Sequence, residues 1–136
     1  VGGMVETGTI DMLANALMDF TGDDVLFTMI ILLVASAVIS SVLDNIPFVA
    51  TMIPILLAME GAGMDVTPLW WATSLGACLG GNGTLIGASC NVVISDIAAK
   101  NGNPISFVKY MKVGFPLMLL TVLIAGIYLY IVFQPV

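Results

Sequence analysis

The stretch SSVLDNIPFVATMIP, residues 40–54, sets an Asp, an Asn and a Pro inside what is otherwise hydrocarbon. An ionised carboxylate at the centre of a membrane helix costs about 3 kcal/mol even on lenient insertion scales. Asp44 therefore needs a reason, provided that the surroundings are a membrane. Composition says that they are. Of 136 residues, 60% are hydrophobic and 9% charged, with a mean hydropathy of +1.12, far from the quarter-charged mixture of soluble domains. Charge-free runs cover residues 25–43, 46–59, 66–94 and 113–133. All but the second reach the roughly 18 to 20 residues that cross about 30 Å of hydrocarbon.

The charges are sorted along the chain. Lys100, Lys109 and Lys112, the only basic residues, share one connection, while Glu6, Asp11, Asp19, Asp23, Asp24, Glu60 and Asp65 lie in the other two. Lysine bias sets orientation, so residues 101–112 are expected as a cytoplasmic loop or short helix. The segment preceding it then starts outside, and the last span, 113–133, ends outside. Both flanks of residues 25–60 lie outside as well, so that segment must turn back on itself. Only the sequence DNIP, residues 44–47, can make the turn. Proline is tolerated in the first turn of a helix, and Asp or Asn before it is a favoured cap. The second arm, residues 48–59, is about 18 Å long and too short to cross alone. The expectation is a re-entrant helical hairpin over 25–60 with its tip at 44–47, with two tilted spans as the other reading.

Non-helical backbone at membrane depth survives only where protein or a wet cavity covers it. A partner for the tip appears in LWWATSLGACLGGNGTLIGASCNVVISDIAAK, residues 69–100. Gly80, Gly81, Asn82 and Gly83 interrupt a helical run there. The expectation is a broken transmembrane helix over 66–100, unwound at 80–83, with a second half-helix starting near Thr84 and capped by its hydroxyl. Such breaks aim half-helix N-termini and free carbonyls at the bilayer midplane.

Together, LDNIPFVATMIPILL, LWWATSLGACLGGNGTLIGASCNVVI and ISFVKYMKVGFPLMLL resemble the C-terminal half of the ion transporter superfamily. The resemblance covers nearly the whole chain. It is to the branch holding arsenite permeases, sodium/proton antiporters of the NhaD type and the melanosomal P protein. It implies an all-α membrane protein: the C-terminal inverted repeat, with hairpin, broken helix and final transmembrane helix. Residues 1–24 become the end of a truncated span plus an outer interfacial helix, since residue 1 is Val and no signal precedes it. The related dicarboxylate carriers resemble one another in a Ser-Asn-Thr tip, where this chain has Asp44, Asn45, Ile46 and Pro47.

The functional reading is an ion-coupled secondary transporter, permease or antiporter. It would move a small inorganic ion or anion such as Na+/H+ or arsenite across the plasma (inner) membrane. Tip residues Asp44, Asn45, Pro47 and Thr51 would face Gly80, Gly81, Asn82, Gly83 and Thr84 of the break, with Ser89 and Asn91 on the second half-helix. Asp44 would exchange H+ or Na+, and Na+ is placed at Asp44, Asn45 and Asn82. No cofactor beyond the coupling ion is implied. The partners are the bilayer, the N-terminal half of the same transporter and a second copy in a homodimer.

Each residue also has a plainer role. Asp44 and Asn45 also serve as helix caps; Ser36, Ser40 and Asp44, at helical i, i+4, i+8 spacing, form a polar lane toward the tip, the plainer role of the two serines being bonds back to their own helix. The glycines serve close packing or supply backbone conformations that Ala resists. Ser89 and Asn91 serve interhelical bonding. A channel, an accessory membrane subunit or a citrate/dicarboxylate carrier is the alternative function. GGNGTLIG lacks the spacing of a dinucleotide loop and no Lys follows for a phosphate loop, and a basic patch for nucleic acid is missing. Cys78 and Cys90 lack metal-site spacing. With no His, motif or metal cluster, an enzyme is not expected.

Overall fold

A computed structural model describes residues 7–22 and 24–134. Any part of the expected truncated span within residues 1–6 lies outside them. Six helices and no strands occur among the described residues: α1 (Thr9–Thr21), α2 (Val25–Ser40), α3 (Asn45–Gly61), α4 (Thr67–Gly80), α5 (Ser89–Lys100) and α6 (Phe107–Phe133).

Helix ends follow local chemistry. The Asp24 carboxylate caps α2, accepting from the Leu26 and Phe27 amides at 3.0 and 3.3 Å. At the other end of the hairpin, α3 closes on Gly63, whose φ of 93° only glycine adopts without strain. The Met64 amide reaches the Met59 carbonyl there and the Gly63 amide reaches Glu60, a glycine-terminated cap. Gly102, at φ 79°, ends α5 in the same way, with bonds from Asn103 to Ala98 and from Gly102 to Ala99.

The arrangement rests on α2 against α4. A Cβ on Gly76 would stand 2.5 Å from the Leu33 carbonyl oxygen and 2.7 Å from Ser36 Cβ, and one on Gly80 would stand 2.8 Å from Ala37 Cα. Residues 33 to 37 and 76 to 80 thus advance together, and the two helices lie parallel in near backbone contact. Helix α3 starts after the short turn 41–44 and ends before the short connection 62–66, so it returns antiparallel to both. A cavity of about 230 Å³ lined by Met18, Val25, Ala62, Gly63, Met64 and Asp65 places the start of α2 beside the end of α3. Segment 25–61 therefore begins and ends at one end of the molecule.

Helix α6 runs the opposite way to α2. Gly126 sits beside Leu33 and Ile30, Met118 beside Gly83 and Gly114 beside Asn82. Its 27 residues make it the one described helix long and apolar enough to cross a membrane unbroken. Met29, Leu33, Leu56, Met59, Leu69, Met118 and Leu129 form the fully buried apolar centre. Helix α1 packs mainly on α3, burying Ala14. Helix α5 buries none of its residues; it leads away from the turn, and its Ser95 hydroxyl donates at 3.3 Å to the carbonyl of Ile105 in the connection before α6.

Three boundaries differ from those read in the sequence. Helix α3 starts at Asn45, is 17 residues long and spans about 25 Å, because Pro47 fits inside its first turn. The break covers residues 81–88 and not 80–83. Lys109 and Lys112 belong to the first turns of α6, not to a separate loop or short helix, because Ser106 accepts from the Lys109 amide at 3.2 Å and starts the helix early.

The α2–α4 contact makes a testable demand. Gly80→Ala pushes a methyl into the Ala37 backbone, which cannot rotate away, and should cost about 1 to 3 kcal/mol. Gly126→Ala meets two flexible side-chain tips, Leu33 Cδ2 at 3.3 Å and Ile30 Cδ1 at 3.8 Å, and should be nearly neutral. Thermal unfolding of the full-length protein in detergent should rank the two in that order; equal melting temperatures would refute the seam.

Candidate functional site

The turn 41–44 and the break 81–88 close on each other. The Thr84 hydroxyl donates to the Ser41 carbonyl, a buried bond joining residues 43 positions apart. Gly87 lies so close that a Cβ would stand 2.7 Å from the Ser41 oxygen and 2.9 Å from the Gly81 oxygen. One turn earlier, the buried Ser40 hydroxyl donates to the Ala77 carbonyl at 2.7 Å. These contacts hold two stretches of unwound backbone together and satisfy carbonyls that helix geometry leaves free.

Asp44 occupies the position before α3 but makes no side-chain cap. Its Oδ2 accepts from the Ser89 hydroxyl at 2.8 Å instead. Ser89 is the first residue of α5, so the carboxylate is held at the N-terminal end of the second half-helix, where the helix carries partial positive charge. Asn91, one turn into α5, reaches back: its amide donates to the Gly81 carbonyl at 2.9 Å and the Thr84 carbonyl at 3.2 Å. The break is thus laced to the start of α5 by Asn91 and to the turn by Thr84.

The remaining sequence candidates are placed differently. Thr84 is not the cap of α5, since its hydroxyl is committed to Ser41 and the helix starts five residues later. Thr51 donates to the Pro47 carbonyl of its own helix at 2.9 Å. Asn45 is half-buried and Pro47 exposed at the start of α3. Asn82 faces α6, lining a cavity with Lys109 and Tyr110, while Asp44 meets Ser89. No group of three or more His, Cys, Asp or Glu side chains suited to a metal occurs among the described residues. Gly80, Gly81, Gly83 and Gly87 all have ordinary φ, because the positive-φ glycines are Gly8, Gly22, Gly63 and Gly102. The expectation that the break needs conformations forbidden to Ala is corrected: close approach, not backbone angle, selects glycine there.

Sequence reasoning passed over Ser41, which contributes through its carbonyl and so leaves no side-chain signal. It also passed over Thr73. Thr73 and Ser36 hydroxyls are buried without a hydrogen-bond partner among the described residues. Ser36 stands against Gly76 in the α2–α4 seam, where the polar lane toward Asp44 was expected.

The comparisons with known proteins agree with the resemblance read from the motifs. Residues 1–136 match the citrate transporter family, CitMHS. A 46 kDa membrane protein of Mycobacterium leprae is 42% identical over 134 residues, covering 96% of this chain and 31% of the relative. An uncharacterized transporter of Mycobacterium tuberculosis is also 42% identical, with the same coverage. The P protein of Mus musculus is 52% identical over 99 residues, covering 71% of this chain and 12% of its own length. The chain thus spans about a third of the mycobacterial relatives, 31% of their length. No solved structure matches. The chain belongs to the citrate transporter family and is part of an integral membrane protein of the ion transporter superfamily.

Proposed function

We propose that this chain is the C-terminal part of an ion-coupled secondary transporter in which α2 and α3 form a re-entrant hairpin and α4, the break and α5 form one broken span. The supporting observation is the bond from Ser89 to Asp44 across 2.8 Å. A carboxylate kept only as a cap would bond its own helix; this one is spent on the partner element. Asp44 takes up and releases H+ or Na+, and each change of its charge alters the contact between turn and break. The site is one half of a pair, completed by an N-terminal half in the length that the relatives have beyond this chain. The transported species is a small inorganic ion or anion, Na+/H+ or arsenite, carried across the plasma (inner) membrane by a homodimer.

A second reading, a citrate or dicarboxylate carrier, is favoured by the description of the matching family. Uptake by the full-length protein in proteoliposomes, against a panel of Na+, arsenite and citrate under imposed proton or sodium gradients, separates the two.

Asp44→Asn is the decisive variant. The amide still accepts from Ser89 but cannot titrate, so coupled transport should fall by at least about tenfold while folding is retained, and the pH dependence of transport should vanish. Full coupled transport with an unaltered pH profile would leave the cap as the better account of Asp44. Ser89→Ala removes a donor that favours the ionised carboxylate, so apparent H+ affinity should tighten, by up to about tenfold, and the pH profile of coupled transport should move to higher pH.

Topology is tested separately. In a Cys78→Ser, Cys90→Ser background, single cysteines at Asp24 and Asp65 should both react with an impermeant thiol reagent from outside, and one at Lys109 should react only from inside. Reaction of positions 24 and 65 from opposite faces would eliminate the hairpin.

A further inference from the structure

The cavity that borders the break on its α6 side serves no step proposed for Asp44. It holds about 570 Å³. Along α6 its lining follows one helical face, Lys109, Val113, Leu117 and Thr121, each four residues after the last, with Gly114 and Met118 beside them. That face is about 18 Å long. Asn82 and Ile105 supply lining from outside α6. Its charge is one-sided, since Lys109 is the only charged residue lining it. The other cations stand elsewhere: Lys100 is paired with Asp96 at 2.6 Å, and Lys112 borders a different cavity with Met111, Phe115 and Pro116.

A single cation lies at the end of α6 where the hydrocarbon run begins. From it an apolar trough follows the helix toward the far interface. A soluble anion has no use for the trough, and an apolar helix has no use for the cation. We propose that this cavity binds an anionic phospholipid, with the phosphate on Lys109 and one acyl chain laid along Val113, Leu117 and Thr121. Charge complementarity selects the headgroup, as in other basic pockets between membrane helices. Gly114 lets the break form one wall of the trough: a Cβ there would stand 2.7 Å from the Asn82 carbonyl oxygen and 2.9 Å from the Tyr110 ring. Because Asn82 belongs to the break, the bound lipid touches the same backbone that Asn91 laces from the other end.

The test uses the full-length protein in nanodiscs of equal parts phosphatidylglycerol and phosphatidylcholine, with retained lipid counted by native mass spectrometry. Phosphatidylglycerol should be retained in excess. Lys109→Gln should cut that excess about fivefold, in line with one basic contact to an anionic lipid, and Lys109→Arg should preserve it. Lys112→Gln should leave it unchanged. Val113→Trp fills the trough without touching the charge and should also abolish the excess. Equal retention by wild type and Lys109→Gln overturns the site, as does an equal loss from Lys112→Gln, which would mean a diffuse basic surface. Displacement of the lipid by millimolar inorganic phosphate would assign the cavity to a soluble anion and overturn the lipid proposal.

Discussion

Everything at the site depends on how closely α2 and α4 approach. The two backbones touch at Gly76 and Gly80, with Leu33 and Ala37 opposite, a separation that a single methyl would spoil. Hydrophobic burial offers little drive between helices within lipid, so close van der Waals contact and interhelical hydrogen bonds must supply the association. The seam supplies both, since the Ser40 hydroxyl reaches the Ala77 carbonyl at its end. A parallel pair ends at one level, which delivers the turn after α2 and the break after α4 to the same place. Their meeting follows from the seam.

Once there, unwound backbone must find hydrogen-bond partners. The bonds available come from small polar side chains one or two elements away: Thr84 to Ser41, and Asn91 to Gly81 and Thr84. Each is a side chain donating to a carbonyl, which is the group that a broken helix leaves in surplus. Asp44 departs from this pattern, since it adds an acceptor where acceptors already abound. Only the Ser89 hydroxyl and the amino end of α5 offset it, and both lie on the other element. The carboxyl group at this junction therefore adds to a local surplus of acceptors, which is why a role beyond structure is proposed for it.

Much of this was legible in the sequence, for a physical reason. Charge and glycine are rare enough in hydrocarbon that Asp44 and the cluster at 80–83 stood out without any structure, and lysine bias alone required segment 25–60 to turn back. The length of the break was not legible. Leu85 and Ile86 read as helix, and only tertiary contact, Thr84 bonding Ser41 and Gly87 closing on its carbonyl, keeps residues 84–88 unwound. The glycines admitted two readings in the sequence, backbone freedom and close packing, and the space between elements, which a sequence does not display, decides for packing. The position of Asn82 on the α6 side was hidden for the same reason: its side chain has the right chemistry for the Asp44 site, but the path of the break carries it elsewhere.

Depth is the remaining consequence. The break is level with Gly114 and Met118 of α6, about 3 to 9 Å along the helix from Lys112. From Met118 to Phe133 the helix continues for about 22 Å. The turn and the break therefore lie nearer the lysine end of the hydrocarbon run than its midpoint, where half-helix ends were expected. Helices α2 and α3 must be long to reach so far, which accounts for an α3 longer than the arm read from its apolar run. In turn, Asp44 stands near the lysine end of α6, whereas the acidic connections at Asp24 and Asp65 lie the length of α2 and α3 away.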